Sequence, residues 1–306
     1  MILTTDTIRF RLPDQLACPE PTEQRNISRD AVRLLISRDS GKIVHSHFRN
    51  LPEYLSPNDV LVINTSATLP SAFPIELPGE KKGMVHLSTP ISDREWLVEI
   101  REIRDDRTIR WTEGKKEMVF QLPANSFLKL KGKFYRDREL LHLWVGALEL
   151  SENMQSYMAR YGRPIKYVNL SKSYPIDFYQ TFFSFHPGSA EMPSAGRGFT
   201  KSLVNKLMQK GIIFAPILLH TGVSSLEENE PPYPEYFEID PISAAIINKA
   251  KRDGNRVIAV GTTAVRALES ATDEMGNVIS YKGNSNLYIT GDYSMKTVDG
   301  LLTGFH

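Results

Sequence analysis

Two short polar sequences follow apolar, strand-like runs in the last third of the chain. One run ends at Leu219 and continues into His220-Thr221-Gly222; the other ends at Val260 and continues into Gly261-Thr262-Thr263. An imidazole can move protons, and glycine lets a ligand approach the backbone closely. In an open parallel sheet, ligands bind beyond the carboxyl ends of the strands. If the two strands are neighbours, these residues therefore predict one ligand-binding crevice.

A glycine-containing segment and one arginine extend this predicted site. Residues 193–200, PSAGRGFT, offer small side chains before a helix, and Arg266 is predicted in the first turn of the helix that follows Gly261. A cation there opposes the helix dipole by roughly 0.3–1 kcal/mol, so an anion should compensate it. Glu269 one turn later can be that anion, and so can a carboxylate or phosphate group of a ligand.

Each of these features also has a purely structural interpretation. Thr262 and Thr263 can be helix N-caps, His220 can be a hydrogen-bonded structural histidine, and Gly196 and Gly198 can mark only a turn. The sequence does not decide between the two interpretations.

Other polar residues of the chain favour surface positions. His45 and His47 lie two residues apart, which places them on one face of a strand, and we interpret that face as surface. Cations between residues 81 and 138 alternate with acids, which favours a solvated face over an RNA-binding groove. No metal-ligand spacing occurs among the seven histidines, so we expect no metal site.

The elements that must position these residues lie in regions with different patterns of apolar residues. Residues 31–63 read as two strands about the turn Asp39-Ser40-Gly41, a helical turn in LPEYLSP and the buried strand DVLVIN. Residues 71–148 are a series of short alternating runs between turn residues, which is typical of an antiparallel sheet or small barrel.

The remainder of the chain is predicted to alternate helices and strands. Helices are expected after Ser151 as N-cap, over 201–210 after Thr200, over 241–254 after Asp240, and from about Thr263; the strands are IIFAPILL and RVIAV. This order implies parallel strands joined by crossovers. We therefore predict an α/β fold: a discontinuous α/β domain (1–70 and 149–306) with a partly parallel sheet, plus an inserted antiparallel β-barrel domain (71–148).

Composition narrows the class of protein further. The chain has 306 residues, a formal net charge of +1 and one cysteine, Cys18. Near-neutral charge gives no global attraction to nucleic acid or membranes, and a single cysteine excludes an intrachain disulfide. No leader-like start or long apolar run is present. We expect a soluble, cytoplasmic protein.

Taken together, the motifs resemble the S-adenosylmethionine:tRNA ribosyltransferase-isomerase family of queuosine biosynthesis. The resemblance runs in order over nearly the whole chain. Its motifs are Asp30 to Leu35, the segment from Gly41 to Asn64, Tyr179-Gln180-Thr181, Pro187-Gly188-Ser189, Pro193-Ser194-Ala195-Gly196, Leu219 to Gly222, Glu235-Tyr236-Phe237-Glu238, Val260 to Ser270 and the ending VDGLLTGFH.

The resemblance implies an activity and a set of site residues. Such enzymes join an α/β domain to an inserted β-barrel and move the ribosyl unit of S-adenosylmethionine onto a 7-aminomethyl-7-deazaguanine in the tRNA anticodon loop, giving epoxyqueuosine. S-adenosylmethionine is then a substrate, no metal is needed, and a monomer is expected. His220 and Arg266 become the candidate catalytic residues. Candidate substrate-binding residues are Arg33, Asn64, Tyr179, Gln180, Thr181, Ser194, Gly196, Gly222, Gly261, Thr262, Thr263, Glu269, Thr303 and His306.

The chain also departs from the family pattern. Asn64-Thr65-Ser66-Ala67 stands where Asn-Asp-Thr-Arg is typical, Arg197-Gly198 replaces Leu-His, and Tyr233 replaces a histidine. These changes keep two alternatives open. One is a divergent relative that binds S-adenosylmethionine or another nucleoside with altered or lost tRNA-modifying activity, and the other is a non-catalytic tRNA or nucleoside binder.

Overall fold

The computed structural model describes residues 13, 18–38, 41–105, 107–136, 139–167, 170, 172–223 and 232–304. The strands are β1 (Arg33–Ser37), β2 (Ile43–His47), β3 (Val60–Asn64), β4 (Ser66–Thr68), β5 (Ala72–Leu77), β6 (Lys81–Pro90), β7 (Glu95–Arg104), β8 (Arg107–Arg110), β9 (Val119–Leu122), β10 (Ser126–Arg136), β11 (Glu139–Glu149), β12 (His186–Ser189), β13 (Ile213–Leu219), β14 (Glu235–Ile239), β15 (Val257–Val260), β16 (Tyr281–Ser285) and β17 (Gly300–Leu302). The α-helices are α1 (Met154–Tyr161), α2 (Lys201–Gln209), α3 (Pro241–Arg252) and α4 (Thr262–Ser270). Short 3₁₀ helices cover Thr22–Arg25, Arg29–Ala31, Phe48–Tyr54, Ile176–Tyr179 and Ser194–Gly196.

A mixed sheet with the order β16-β14-β13-β3-β15-β17 forms the centre of the α/β region. Its four strands β13, β3, β15 and β17 are parallel, and β14 and β16 add an antiparallel edge. Strand β3 is buried along its whole length. Val60 and Val62 pack toward α3 and α4, whereas Leu61 and Ile63 pack with α2 and the 3₁₀ helix Phe48–Tyr54. A strand covered on both faces needs an unbroken apolar sequence, and the predicted mixed α/β class is confirmed.

The order of the strands corrects one expectation. Strands β13 and β15 are not neighbours, because β3 hydrogen-bonds to both of them. At a spacing of roughly 4.8 Å per strand, their ends are about 10 Å apart. The residue that follows β3 therefore lies between His220 and Gly261.

A second sheet is antiparallel and nearly closed. Its strands run in the order β5-β6-β7-β11-β10-β9, with β8 paired to β7. Alternate residues point inward and form a second core that includes Val85, Leu128 and Leu130. Helix α1 covers this core through the buried Tyr157, whose hydroxyl donates to the carbonyl of Pro123 at 2.7 Å. The predicted barrel-like antiparallel sheet is therefore present.

Helix ends follow the sequence rules with two exceptions. Asp240 accepts hydrogen bonds from the first-turn amides of α3, and Thr200 accepts the amide of Leu203, both as predicted. Helix α1 is capped by Asn153 and not by Ser151, because the Ser151 amide donates to Ser126 of β10. Helix α4 has no side-chain cap at all.

The start of α4 changes how its residues are interpreted. Its N-cap is Gly261, with φ +95°, a conformation that favours glycine. Thr262 and Thr263 lie inside the first turn and do not cap the helix, which corrects that interpretation. Arg266 lies in the second turn and not the first, so the helix dipole opposes it less than expected.

The hairpin β1–β2 lies on the outside of the α/β region. The two strands are antiparallel, and Arg33, His45 and His47 are exposed on the same face, as predicted for the histidines. The turn at Asp39-Ser40 lies outside the described residues. Within the described part of the chain, every helix is too short or too polar to span a bilayer.

Candidate functional site

The four parallel strands of the central sheet end at one edge. The residues that follow them are His220 after β13, Thr65 after β3, Gly261 after β15 and Thr303 after β17. In such sheets ligands bind beyond the carboxyl ends of the parallel strands. We call this edge, which carries these four residues, the strand-end edge. Within the described chain, no group of three or more His, Cys, Asp or Glu side chains is placed to hold a metal ion.

The side chain of Asn64 ties two of these strand ends together. Its amide nitrogen donates to the carbonyl of Leu219 at 2.8 Å, and its amide oxygen accepts from the backbone N–H groups of Leu219 and Ser66. The side chain is buried and continues the ladder beyond the last strand pair. Asn64, predicted as a substrate-binding residue, thus holds the segment that carries Ser66 beside His220.

His220 is held by a chain of hydroxyl groups. Its Nδ1 lies 2.8 Å from Ser66 Oγ, and Ser66 Oγ lies 2.6 Å from Ser189 Oγ. Ser189 Oγ in turn accepts the backbone N–H of Thr221 at 3.0 Å. Both serines are fully buried. The imidazole is therefore fixed by neutral groups from three separate segments of the chain.

The ring of His220 is also confined sterically. A β-carbon at Gly188 would come within 2.2 Å of the ring, so only glycine leaves room for it. The ring stacks on Tyr236 of β14, with centroids 6.0 Å apart and an interplanar angle of 20°. Pro187-Gly188-Ser189 thus supplies both the space and one of the hydroxyls that position His220.

Burial lowers the pKa of His220, against the opposing effect of the Glu238 carboxylate and with a further decrease from His186. Glu238 is itself bound to the Tyr236 hydroxyl and lies 2.9 Å from Lys282, which reduces its influence on the imidazole. Near neutral pH the imidazole is therefore held in its neutral form.

Arg266 lies close to this region, but its described hydrogen bonds all go to other residues of the protein. Its guanidinium binds Glu235 at 2.7 Å and donates to the carbonyls of Tyr233, Ser285 and Leu287. The compensating anion is thus Glu235, which is neither Glu269 nor a ligand group as the sequence had suggested. Arg266 is buried and joins α4 to the antiparallel edge of the sheet.

Glu235 extends this link to the turn after β13. Its Oε1 accepts the backbone N–H of Gly222 at 3.1 Å, while its Oε2 binds Arg266. Gly222 also touches the barrel, since a β-carbon there would lie 2.7 Å from Ser88 Oγ. Arg266 is therefore linked to the turn after His220 through Glu235, and none of its described hydrogen bonds goes to the His220 side chain.

Glu269 belongs to the other end of α4. Its carboxylate accepts the backbone N–H groups of Lys296, Thr297 and Val298 and the hydroxyl of Tyr293. It lines a groove of about 420 Å³ between α4, β16 and the following loop. Its carboxylate orders that loop, and Glu269 lies seven residues along the helix from Thr262 at the strand-end edge.

The Tyr179-Gln180-Thr181 segment packs beneath the edge. Gln180 makes two hydrogen bonds with the backbone of Thr68. Thr181 is buried and bonds to Ser184. Tyr179 is buried against Tyr167, with ring centroids 6.0 Å apart, and its hydroxyl has no hydrogen-bond partner among the described residues. This segment fixes the position of β4.

Two glycine motifs meet at the start of α4. A β-carbon on Gly261 would lie 3.4 Å from Ala195, and one on Gly196 would lie 3.3 Å from Thr181. The 3₁₀ helix Ser194–Gly196 therefore lies against the N-terminus of α4, as the sequence suggested. Thr262 is exposed there and Thr263 is half-buried.

The departures from the family pattern also have structural partners. Arg197 binds Glu23 at 2.6 Å and donates to Thr22 and to the carbonyl of Phe178. Gly198 packs against Phe48, with only 2.9 Å for a β-carbon. Arg197 is thus committed to the N-terminal segment and adds no unpaired cation to the strand-end edge.

Three predicted substrate-binding residues lie apart from His220 or outside the described chain. Arg33 is exposed on the hairpin β1–β2. Thr303 is exposed directly after β17, at the far side of the edge. His306 lies outside the described residues.

Sequence reasoning missed the residues that hold His220. Ser66, Gly188, Ser189, Glu235 and Tyr236 were visible only as members of motifs without assigned roles. The available signal was positional: Ser66 lies just after β3, Glu235 and Tyr236 lie in β14 of the central sheet, and Gly188 and Ser189 lie in β12, which pairs with β4. Their contacts with His220 and Gly222 join residues more than a hundred positions apart in some cases, and local patterns do not reveal such contacts.

Comparison with known proteins agrees with these motifs. The model of the family described as "Queuosine biosynthesis protein" matches residues 5–306. An S-adenosylmethionine:tRNA ribosyltransferase-isomerase of Carboxydothermus hydrogenoformans is 34% identical over 97% of this chain and 85% of its own length. That of Desulforamulus reducens is 32% identical with the same coverage.

A solved structure is also similar. It is an S-adenosylmethionine tRNA ribosyltransferase from Thermotoga maritima, 24% identical, with a TM-score of 0.47 over 97% of this chain and 83% of the other. A TM-score below 0.5 does not establish a common fold, so the assignment rests on the sequence matches. By those matches, the chain belongs to the queuosine biosynthesis protein family.

Proposed function

We propose that this protein transfers and isomerises the ribosyl moiety of S-adenosylmethionine onto the 7-aminomethyl-7-deazaguanine base of tRNA, giving epoxyqueuosine. The observation that carries the proposal is the match, over 97% of the chain, to relatives named S-adenosylmethionine:tRNA ribosyltransferase-isomerase. The protein is then a transferase and isomerase that uses S-adenosylmethionine as a substrate.

The strand-end edge is the best place for this reaction. The chemistry must remove a proton beside the sulfonium, stabilise the departing adenine and hold the methionine zwitterion. His220 is a titratable side chain at this edge, and Ser66 and Tyr236 fix the position of its ring. Gly222, Ser194, Gly196, Gly261, Thr262, Thr263 and Thr303 border the same edge. We assign His220 to catalysis and these bordering residues to substrate binding, with Arg266 shaping the site through Glu235.

The barrel-like sheet extends the site toward the second substrate. We infer an inserted domain at residues 71–148 between the two parts of an α/β domain. The hydroxyl of Ser88 in β6 accepts the backbone N–H of Val223 at 2.9 Å, which joins the barrel to the turn after β13. A tRNA anticodon loop that reaches His220 would therefore contact both regions. We propose that the protein works as a cytoplasmic monomer.

The test is direct. The protein is incubated with S-adenosylmethionine and tRNA that carries the aminomethyl-deazaguanine base, and the nucleosides are analysed by mass spectrometry. We expect epoxyqueuosine together with stoichiometric adenine and methionine. Unchanged tRNA, with a protein shown to be folded by circular dichroism, would contradict the proposal. tRNA lacking the modified base is the control substrate.

A second candidate is a divergent relative that binds S-adenosylmethionine or another nucleoside with altered or lost tRNA modification. It is favoured by Thr65 and Ala67, which replace an acid and an arginine of the family pattern. Thr65 donates its hydroxyl to the carbonyl of Ile217, and Ala67 is buried, so neither restores the missing charge. Calorimetric titration with S-adenosylmethionine separates the two: binding without methionine release in the tRNA assay would favour the divergent relative.

A further inference from the structure

In the chain of hydroxyl groups beside His220, the direction of each hydrogen bond can be assigned. Ser189 Oγ accepts the backbone N–H of Thr221, and the only described acceptor for its own proton is Ser66 Oγ. Ser66 Oγ, which accepts the hydrogen bond from Ser189, must then donate its own hydrogen to His220 Nδ1 at 2.8 Å. Both serines are fully buried, so water cannot substitute for these acceptors.

We propose that Ser66 and Ser189 are positioning residues that hold His220 as the neutral tautomer with its proton on Nε2. The remaining ring nitrogen, which bonds to no described residue, is then a hydrogen-bond donor. Only the chemical consequence of this inference rests on the proposed function; the tautomer itself does not.

The opposite arrangement is disfavoured by the same count. If Nδ1 carried the proton, it would donate to Ser66, and Ser66 would donate to Ser189. The Ser189 proton would then have no acceptor among the described residues, inside a buried site. Protonation of the ring to imidazolium also requires a proton on Nδ1, so it carries the same penalty. The serines therefore oppose the charged form in addition to burial.

The tautomer decides what His220 can do for the reaction. A neutral imidazole with a proton on Nε2 donates a hydrogen bond to an acceptor on the substrate, such as a purine nitrogen of the departing adenine or a ribose oxygen. It stabilises negative charge that develops on that atom without itself being a cation. It does not accept a proton at Nε2, so the base that acts beside the sulfonium is a different group.

The tautomer is measured by long-range ¹H–¹⁵N correlation NMR on the full chain labelled with ¹⁵N-histidine. The His220 signals are those that disappear in His220→Gln. We expect the pattern of a neutral ring protonated at Nε2, and a titration midpoint below the ordinary histidine value of 6.5. A ring protonated at Nδ1 in the native protein would overturn the proposal.

Four variants separate positioning from packing. Ser66→Ala should mix the two tautomers and raise the midpoint, and Ser66→Thr, which keeps a hydroxyl, should restore the native pattern. Ser71→Ala is the matched control, because Ser71 is equally buried but its hydroxyl has no described partner. An unchanged tautomer and midpoint in both Ser66→Ala and Ser189→Ala would also overturn the proposal.

The activity assay then tests the consequence separately. Ser66→Ala should lose about tenfold in turnover, the size expected for one hydrogen bond, and Ser66→Thr should recover it. If the native protein shows the Nε2 tautomer but modifies no tRNA, the proposed function fails while this inference stands. If tRNA is modified and the tautomer is the other one, this inference fails alone.

Discussion

Two histidines, the half-buried His220 at the strand-end edge and the buried His86 in the barrel-like sheet, have opposite surroundings. His220 faces two serine hydroxyls and a tyrosine ring. His86 lies across the β6–β7 ladder from Glu99, with Nδ1 3.4 Å from its carboxylate, and Arg101 donates to the same carboxylate at 2.7 Å. The partners of His220 are neutral, and one ring nitrogen bonds to no described residue. The partners of His86 are charged and form a buried ion pair beside it.

The titration of the two sites differs for the same reason. Burial acts to raise the pKa of Glu99, but His86 and Arg101 outweigh it and the pKa is lowered. At His220, burial lowers the imidazole pKa and Glu238 only partly offsets it. Charged groups in the first case stabilise charge, and hydroxyls in the second leave a neutral ring. The comparison indicates that the chemistry of the partners determines which charge state each group favours.

The largest effect is expected from removing the imidazoles themselves. His220→Ala should lower the rate of tRNA modification by about 10²–10⁴-fold, because that is the usual contribution of an acid–base or hydrogen-bond donor group to a reaction rate. The matched variant His86→Gln should retain the rate of the folded protein. Steady-state kinetics measure both, and equal losses in the two variants would remove the distinction between the sites.

The second prediction reverses the comparison and concerns stability. Glu99→Gln removes the anion that compensates Arg101 and should lower the free energy of unfolding by about 3–5 kcal/mol, since it leaves a buried charge without its partner. The control is Glu117→Gln, whose partner Lys129 is 2.5 Å away but largely solvated, so the loss of free energy of unfolding should be much smaller. Urea unfolding measures both, and similar losses in the two variants would show that the Arg101 charge does not depend on Glu99 for its stabilisation.

The third prediction tests the space around His220. Gly188→Ala places a methyl group 2.2 Å from the ring and should displace it, lowering the modification rate by about 10–100-fold through misplacement of a catalytic group. The control is Gly132→Ala in the barrel, where a β-carbon meets nothing within 4 Å. The rate of Gly132→Ala should equal that of the unaltered protein. A fully active Gly188→Ala would show that the position of His220 is not critical.

The smallest effect is in the pH dependence of stability. The folded pKa of Glu99 is lowered from an ordinary value of 4.5, so its stabilising contribution is present above that value and is lost as the pH falls through the folded pKa. Urea midpoints from pH 6 to pH 3 should therefore decline less steeply in Glu99→Gln than in the unaltered protein. Parallel declines would mean that Glu99 does not titrate in this range.

Much of the architecture could be read from local patterns. Asp240-Pro241 with Gly254, Thr200 before α2 and the apolar run of β3 each satisfy rules that depend on a few adjacent residues, and all three were predicted correctly. The alternating texture of the barrel was equally local. The error at α1 arose because Ser151 bonds to Ser126, a contact between two elements that no local rule includes.

The candidate site was predictable only in part. The sequence located the turns at His220 and Gly261 because strand ends and glycines leave local signals. It misjudged Arg266, since the anion that compensates it, Glu235, comes from a strand 31 positions earlier and not from the same helix. The roles of Ser66 and Ser189 were invisible because neither residue has a chemical signature without its partner.

The sequence by itself determined the family, the class of fold and the turns that carry candidate chemistry, because these depend on residue type, order and short-range periodicity. Only the tertiary structure decided which of those residues meet. Insertion of β3 between β13 and β15 brings Ser66 to His220, and the parallel pairing of β4 with β12 brings Ser189 to Ser66. Hydrogen bonds of this kind depend on the relative position of distant segments, which packing of the whole sheet fixes and no local sequence pattern encodes.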